Sequence, residues 1–467
     1  MRIGIDRLRS CAVAVLGVTL MVGVAACGGS SSSGSSGGSG SGNAKVIKVA
    51  YGSTYVFDTE ALTKKWWNQV ARQFEAKNPG VKVQLVPIPG SYNDIVNKLS
   101  LLYRSPSTAP DVAEIPTGQI GLWQSSGFLA PLDTYLPATS WWSKFPAVVQ
   151  SEGTFAGKVY AVDQGENDSA LFYNKTMFAK AGLPVPWKPH NWADIVAAAA
   201  KIKASVPGVI PLWFLAGAGS GANGLLQGIN NFIVGTATPK IQADTAGNKW
   251  VVDSPGIRAA MALLKQVMGS GYDASVSQLF SPYAVTTPLT LFSQGKLAMA
   301  VGSNYYTGNW TKFIGAPYWA QAPQTMGVTP IPTQNGGGIA STLGGWDYAV
   351  SAHSGNPSAA FKLIDIMENQ QNSIDAANWA GWVPPNRDYW TAPAFTKFAA
   401  SQALFGQILS HATLTPSSSN YSIWVQGMGN ATGQIAQNPA TSVDSAVSTL
   451  SSYVSNQLGS GSTVKQP

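Results

Sequence analysis

The sequence predicts an α/β fold of two lobes, each a mostly parallel sheet flanked by helices, joined by crossings of the chain. Three observations predict it. Strand-like and helix-like segments alternate from residue 46 on, as in βαβ units. The alternation restarts near residue 191, and a chain of 467 residues is long enough for two domains with large cores. Between the two halves lies GKVYAVDQGENDSALFYNK (157–175), which opens as a short strand (158–162), runs through Asp163, Gln164, Glu166, Asn167 and Asp168, and resumes as a strand at 170–173. Such a segment crosses between lobes. Burying that many polar groups without partners costs several kcal/mol, so the run either faces solvent as a surface loop or meets a hydrogen-bonding ligand in a cleft.

The amino terminus reads as a secretory signal. Arg2, Arg7 and Arg9 precede an apolar run over 11–26, and its sixteen residues fall short of the roughly 20 needed to span a bilayer. Val24-Ala25-Ala26-Cys27 resembles the lipobox of bacterial lipoproteins, which implies that Cys27 is lipidated and becomes the first residue of the mature chain. Two or three acyl chains hold a protein on a membrane stably where one does not. Residues 28–42 are all Gly or Ser, a flexible tether with a reach of about 20 to 23 Å. With Cys11 removed and Cys27 acylated, no disulfide and no thiolate metal site remain. His190, His353 and His411 are too far apart in sequence to give a ligand spacing, so neither metal nor cofactor is expected.

Losing residues 1–26 lowers the net charge from +7 to +5. The longest basic run is Lys64-Lys65 and only 11% of residues are charged, so there is no basic stripe for nucleic acid. Sixteen tryptophans instead suit uncharged ligands with apolar faces.

In order, 46–51 reads as a buried strand, and Leu62, Trp66, Val70 and Phe74 recur at helical spacing until Asn78-Pro79-Gly80 ends the helix. Residues 81–87 form a second strand, Ser91 and Asp94 a capping box for a helix to Tyr103, and 111–115 a third strand. Binding loops at the strand ends then fall at 51–53, 89–92 and 116–119. In the second half Asn191 caps a helix over 192–204, followed by a strand at 210–215 and helices near 225–232 and 255–268. Strands are expected at 298–301 and 326–331, the latter a second crossing. Ala360, Phe361, Ile364 and Met367 share a helix face, as do Val443, Ala446, Val447, Leu450 and Val454.

Two patterns suggest other chemistry. Residues 219–224 match GxGxxG after a strand and before a helix, with Asp244 twenty residues on, imitating a dinucleotide fingerprint; export argues against such a cofactor. Glu166 and Asp168, two apart on an extended segment, sit about 6.6 Å apart along a strand, within the range of glycosidase carboxylate pairs. Such enzymes, however, place their carboxylates on opposite sides of the scissile bond, so no enzyme activity is expected.

Five blocks resemble one family. They are DVAEIPTGQIGLWQSSGFLAPL (111–132), GKVYAVDQGENDSALFYNKTMFAKAGL with NWADIVAAAAKI (157–183, 191–202), LFSQGKLAMAVGSNYY (291–306), LGGWDYAVSAHSGNPSAAFKLIDIM (343–367) and GWVPPNRDYW (381–390). In order and spacing they are similar to bacterial extracellular solute-binding proteins of family 1, the sugar-binding group that includes maltose-binding protein. The resemblance implies a periplasmic-binding-protein-like fold of type II, with 45–163 and 328–372 as lobe 1, 164–327 and 373–467 as lobe 2, 1–26 as signal peptide and 27–44 as lipidated tether. It also implies a monomeric receptor that closes on a carbohydrate and delivers it to ABC importer permease subunits at the outer face of the cell membrane. Carried over by position, the ligand contacts fall on Thr117, Gln119, Glu166, Asn167, Asp168, Tyr305, Gly345, Trp346, Trp382 and Arg387. Many family members carry a charged residue where this chain has Pro116 to Gln119, which leaves the sugar open. Tyr305, Trp346 and Trp382 are also residue types that pack in cores. A receptor for another polar solute, such as a glycerophosphodiester, is the runner-up.

Overall fold

Val46, Ile47, Val49 and Ala50 give the first strand, β1 (Lys45–Gly52), which is buried on both faces from Val49 onward, as a central strand of a parallel sheet must be. It belongs to a computed structural model that describes residues 45–53, 60–244, 248–315, 317–399 and 401–467. The signal, Cys27 and the tether lie outside the described residues. β1 pairs in parallel with β2 (Val81–Ile88) and β3 (Val112–Pro116). The connecting helices are those the periodicity predicts. α1 (Glu60–Lys77) buries Trp66, Val70 and Phe74, and the Asn78 side chain donates to the Phe74 carbonyl at 2.9 Å to close it. Gly80 turns the chain at φ +85°, a conformation that costs a residue without Cβ little. α2 (Tyr92–Tyr103) starts at the Ser91–Asp94 capping box, a feature worth about 1 kcal/mol.

The polar run proves to be neither loop nor surface. Residues Ala161–Asn167 form a strand, β4, buried through Glu166. One residue later the chain enters β5 (Ser169–Asn174), which belongs to a different sheet. β6 (Met299–Ser303) and β7 (Met326–Thr329) flank β5 in that second sheet, and the chain then returns to the first as β8 (Thr342–Val350). β8 lies between β3 and β4, antiparallel to both, while β9 (Thr413–Leu414) pairs with its start.

The first sheet therefore keeps its parallel core of β1, β2 and β3. In the second sheet the three strands pair antiparallel, and parallel character is limited to bridges from Ile210 to Leu297 and from Trp213 to Ala300. The reason is topological. β5 brings the chain into this sheet and β7 carries it back out, so the two run in opposite directions.

β5 also divides the apolar interior. Leu171 and Tyr173 pack with one cluster, formed largely by helices Trp192–Ser205, Pro255–Gly269, Tyr421–Gln437 and Val443–Leu458, whereas Ala170 and Phe172 pack with the cluster that contains the first sheet. The predicted faces are buried in place at Ala360, Phe361, Ile364 and Met367 in helix Pro357–Met367 and at Ala446, Val447, Leu450 and Val454 near the end, while Val443, in the first turn, is half-buried. Complete burial of the larger of these, Phe, Ile, Leu, Met and Val, stabilises by about 1.5 to 3 kcal/mol each. Among the described residues no helix is long and apolar enough to cross a membrane.

Candidate functional site

The ends of β3, β4 and β8 converge where the two sheets meet. β3 ends at Pro116, and the turn Thr117–Gln119 that follows is pinned from both sides: the Thr117 hydroxyl donates to Asp347 Oδ2 at 2.8 Å and accepts from the Gly345 N–H at 3.0 Å. Gly345 has no room for a side chain, because a Cβ there would lie 2.5 Å from the Gly165 carbonyl oxygen. Close approach of β8 to β4 thus sets the position of Trp346, whose ring meets Tyr92 edge-on with centroids 5.9 Å apart.

These residues form one side of a cavity of about 130 Å³. Across it stand Ala222, Asn223 and Leu226 of the short helix Gly221–Leu226, Val285 and Thr286, Tyr305 after β6, and Trp382, with Asn167, Thr415 and Tyr421 completing the lining. The Tyr305 hydroxyl donates to Gln227 Oε1 at 2.8 Å, and burial pushes its ionisation above the usual phenol range, so it stays a neutral donor. The lining combines aromatic faces with amides and hydroxyls. Among the described residues none of the side chains that line it carries a formal charge.

Of the residues expected to touch a ligand, the cavity brings together Thr117, Asn167, Tyr305, Gly345, Trp346 and Trp382. Gln119 lies one turn away beside the Tyr92 hydroxyl. Glu166 and Asp168 are wholly buried and do not line it. Arg387 is exposed on the turn Arg387–Tyr389, which Asn386 caps through the Asp388 N–H at 2.9 Å, and it too is outside the lining. Tyr92 and Asn223 carried sequence signals, one in the loop expected at 89–92 and the other in the glycine-rich run. Thr415 and Tyr421 carried none.

The glycine-rich run itself wraps tightly on protein, since a Cβ at Gly219 would lie 2.2 Å from the Phe280 carbonyl oxygen. It supplies a cavity wall through Ala222 and Asn223.

Behind the lining lies a group of acids. Glu152, at the end of helix Ala147–Glu152, Asp163 and Glu166 each offer a carboxylate oxygen within 4.8 Å of the others. Asp347 stands opposite Asp163 in the β8–β4 register. Burial raises all four above the usual carboxylate range, Glu152 to about 7, and mutual repulsion raises Asp163, Glu166 and Asp347 further. Oxygen-only donors of this kind suit a hard cation.

Residues 60–373 match the family described as bacterial extracellular solute-binding protein. The chain belongs to that family. Its members are binding proteins. Among relatives, the chain is 27% identical over 319 residues to a probable ABC transporter-binding protein of Deinococcus radiodurans, covering 66% of this chain and 70% of that one. It is 24% identical over 401 residues to the galactooligosaccharide-binding protein of Bacillus subtilis, covering 85% and 86%. The fold is similar to that of the GacH receptor of Streptomyces glaucescens, solved unliganded and in complex with acarbose, with a TM-score of 0.72, 21% identity, and 89% and 98% of the two chains covered. The two-lobed α/β fold of solute-binding proteins thus accounts for both crossings.

Proposed function

We propose that this protein is the substrate-binding component of an ABC importer and captures a neutral carbohydrate in the cavity between its two sheets. The observation that carries the reading is the uncharged lining. The C–H faces of a pyranose stack on Tyr92, Tyr305, Trp346 and Trp382, and its hydroxyls pair with the amides of Asn167 and Asn223 and the hydroxyls of Thr117, Thr286 and Thr415. A phosphodiester would be favoured by a basic contact, and among the described residues no basic side chain is in the lining. Glycoside hydrolysis would need carboxylates facing the sugar, and Glu166 and Asp168 do not line the cavity. The relatives whose names record a ligand include sugar binders.

A cavity of about 130 Å³ is small against the roughly 300 to 1,000 Å³ of ordinary ligand sites, so entry requires its walls to part. The hinges are the two crossings, at Asp168 between β4 and β5 and over 330–341 between β7 and β8. The lobes they join are close to 45–163 with 328–372 and 164–327 with 373–467. Ligand that touches both walls then selects the closed form. The receptor works as a monomer, held to the outer membrane face by lipid on Cys27 and the Gly/Ser tether.

A thermal-shift screen against neutral mono- and oligosaccharides and against glycerol 3-phosphate tests the reading. A neutral sugar at 100 times its dissociation constant stabilises by about 2.7 kcal/mol. Stabilisation by the phosphate ester alone overturns it. For the anchor, Cys27→Ser moves the protein into the soluble extracellular fraction with unchanged affinity; a processed variant that stays on the membrane contradicts the tether.

A further inference from the structure

We propose that Glu152, Asp163 and Glu166, with Asp347 beside them, form a buried calcium site directly behind the ligand cavity. The four come from three separate elements, with exposures of 0%, 2%, 0% and 0%. Their eight carboxylate oxygens are almost wholly unused. Asp163 Oδ1 accepts from the Gly165 N–H at 3.0 Å and Asp347 Oδ2 from the Thr117 hydroxyl at 2.8 Å. Both oxygens of Glu152, both of Glu166, Asp163 Oδ2 and Asp347 Oδ1 are buried without a hydrogen-bond donor, which leaves six.

An acidic cluster alone would say little, but Asp347 adds an independent constraint. It faces Asp163 across an antiparallel pair in direct register, where like charges repel, and its free oxygen is sealed from water. Among the described residues no Lys, Arg or His forms an ion pair with any of the four. Something must neutralise them, because a buried carboxylate without a partner costs far more than an unpaired neutral group.

Protons and a cation are the two candidates. Protons, one on each acid, cancel the charge but leave the free carboxyl oxygens without hydrogen-bond donors. A divalent ion removes two charges and can take up the five free oxygens of Glu152, Asp163 and Glu166. Calcium accepts six to eight oxygen ligands in flexible geometry, whereas magnesium demands a near-octahedral shell and keeps waters, for which a sealed cage of carboxylates is unsuited. With no His or Cys in the group, zinc and copper are disfavoured.

The ion's position gives it a role. It ties helix Ala147–Glu152 to β4, just before the Asp168 crossing, where Asp347 of β8 faces Asp163. Asp347 in turn holds the Thr117 hydroxyl at the cavity wall. Gly165, between the two β4 ligands, packs on Trp382, where an added Cβ would lie 3.2 Å from the indole. A bound lanthanide would therefore sit close to an aromatic sensitiser.

The test uses the whole mature protein, equilibrated with calcium, desalted and analysed for metal, then stripped with EGTA and titrated. One calcium per chain is expected, with a melting temperature that rises with each tenfold increase in free calcium. Magnesium at matched ionic strength should not reproduce that rise. Terbium should show indole-sensitised emission that calcium displaces. The double variant Glu152→Gln, Asp163→Asn should bind no calcium and melt independently of it. Absence of bound metal and of any calcium-dependent melting in the wild-type protein overturns the site, whatever the variant does. An equal response to magnesium also overturns it, as does a Glu152→Gln variant that melts higher than wild type in both calcium and EGTA, which would mean that protons neutralise the cluster.

Discussion

Asn167 and Glu166 are neighbours on β4, yet the regions they serve differ in kind. Asn167 faces a cavity whose polar groups are neutral and whose walls are aromatic. Glu166 belongs to a sealed group of carboxyls with nearly every oxygen unpaired. The difference teaches how one short polar run serves two purposes. Neutral amides and hydroxyls can wait in a cleft for a sugar, exchanging water for ligand at little cost. Buried carboxylates cannot wait, and must be neutralised before the fold is stable.

Trp346→Ala breaks the cavity side most severely. The indole is 6% exposed, lines the cavity and packs on Tyr92, so its loss should act on both folding and binding. Stability should fall by about 3 to 5 kcal/mol, and affinity by roughly 5- to 150-fold, the equivalent of about 1 to 3 kcal/mol. Melting of the apo protein and calorimetric titration of the same variant read the two effects separately, and Trp346→Phe should recover part of each. Unchanged affinity would remove Trp346 from the site.

Two smaller changes probe the seam between the regions. Thr117→Val leaves the Gly345 N–H without its acceptor and Asp347 Oδ2 without its donor, at about 1 to 3 kcal/mol, and Thr117→Ser should restore most of it. Gly345→Ala drives a methyl group against the Gly165 carbonyl and should cost a similar 1 to 3 kcal/mol by denaturant melting.

How much of this was legible in the sequence follows from which forces are local. Helix starts at Ser91 and Asn191 were readable because a capping box lies within four residues. The strand–helix alternation and the crossing at 157–175 were readable from periodicity. The polar run's true state was not. It looked like a loop because Asp, Asn and Gly disfavour strands, but pairing with β8 and burial beneath the cavity override that preference. Thr117, Asn167, Tyr305, Gly345, Trp346 and Trp382 were reached through resemblance. Glu152 and Asp347 had no signal, since only the β8–β4 register and the preceding helix bring them to Asp163. Tyr421 and Thr415 likewise depend on long-range packing.

A pH series sharpens the account of buried acids at a site apart from the four. Glu114 is wholly buried, and although the Gly52 N–H donates to it at 2.9 Å, burial pushes it up to about 8. An unfolded glutamate titrates near 4.3, so between these values the folded state holds a proton that the unfolded chain has lost. Stability from this group is full below about pH 4 and falls as pH rises through about 8, by at most about 1.4 kcal/mol per unit. Glu114→Gln should flatten the slope by that share in urea melts between pH 5 and 8. An unchanged slope would show that Glu114 is not the protonated group.

The smallest effect is expected at Arg387. It is exposed and outside the lining, so Arg387→Ala should leave sugar affinity within a factor of about two and stability within about 0.5 kcal/mol. A tenfold loss by calorimetry would bring a cation into the site and favour an anionic ligand.

The central claim is that the cavity takes a neutral sugar, and salt dependence tests it most directly. Calorimetric titration with the best neutral sugar from the screen, and with its phosphorylated counterpart, should be run in low and high salt. The account predicts a dissociation constant for the neutral sugar that does not change with salt, and weak or absent binding of the phosphate ester. Tighter binding of the phosphate ester that weakens as salt rises would contradict it.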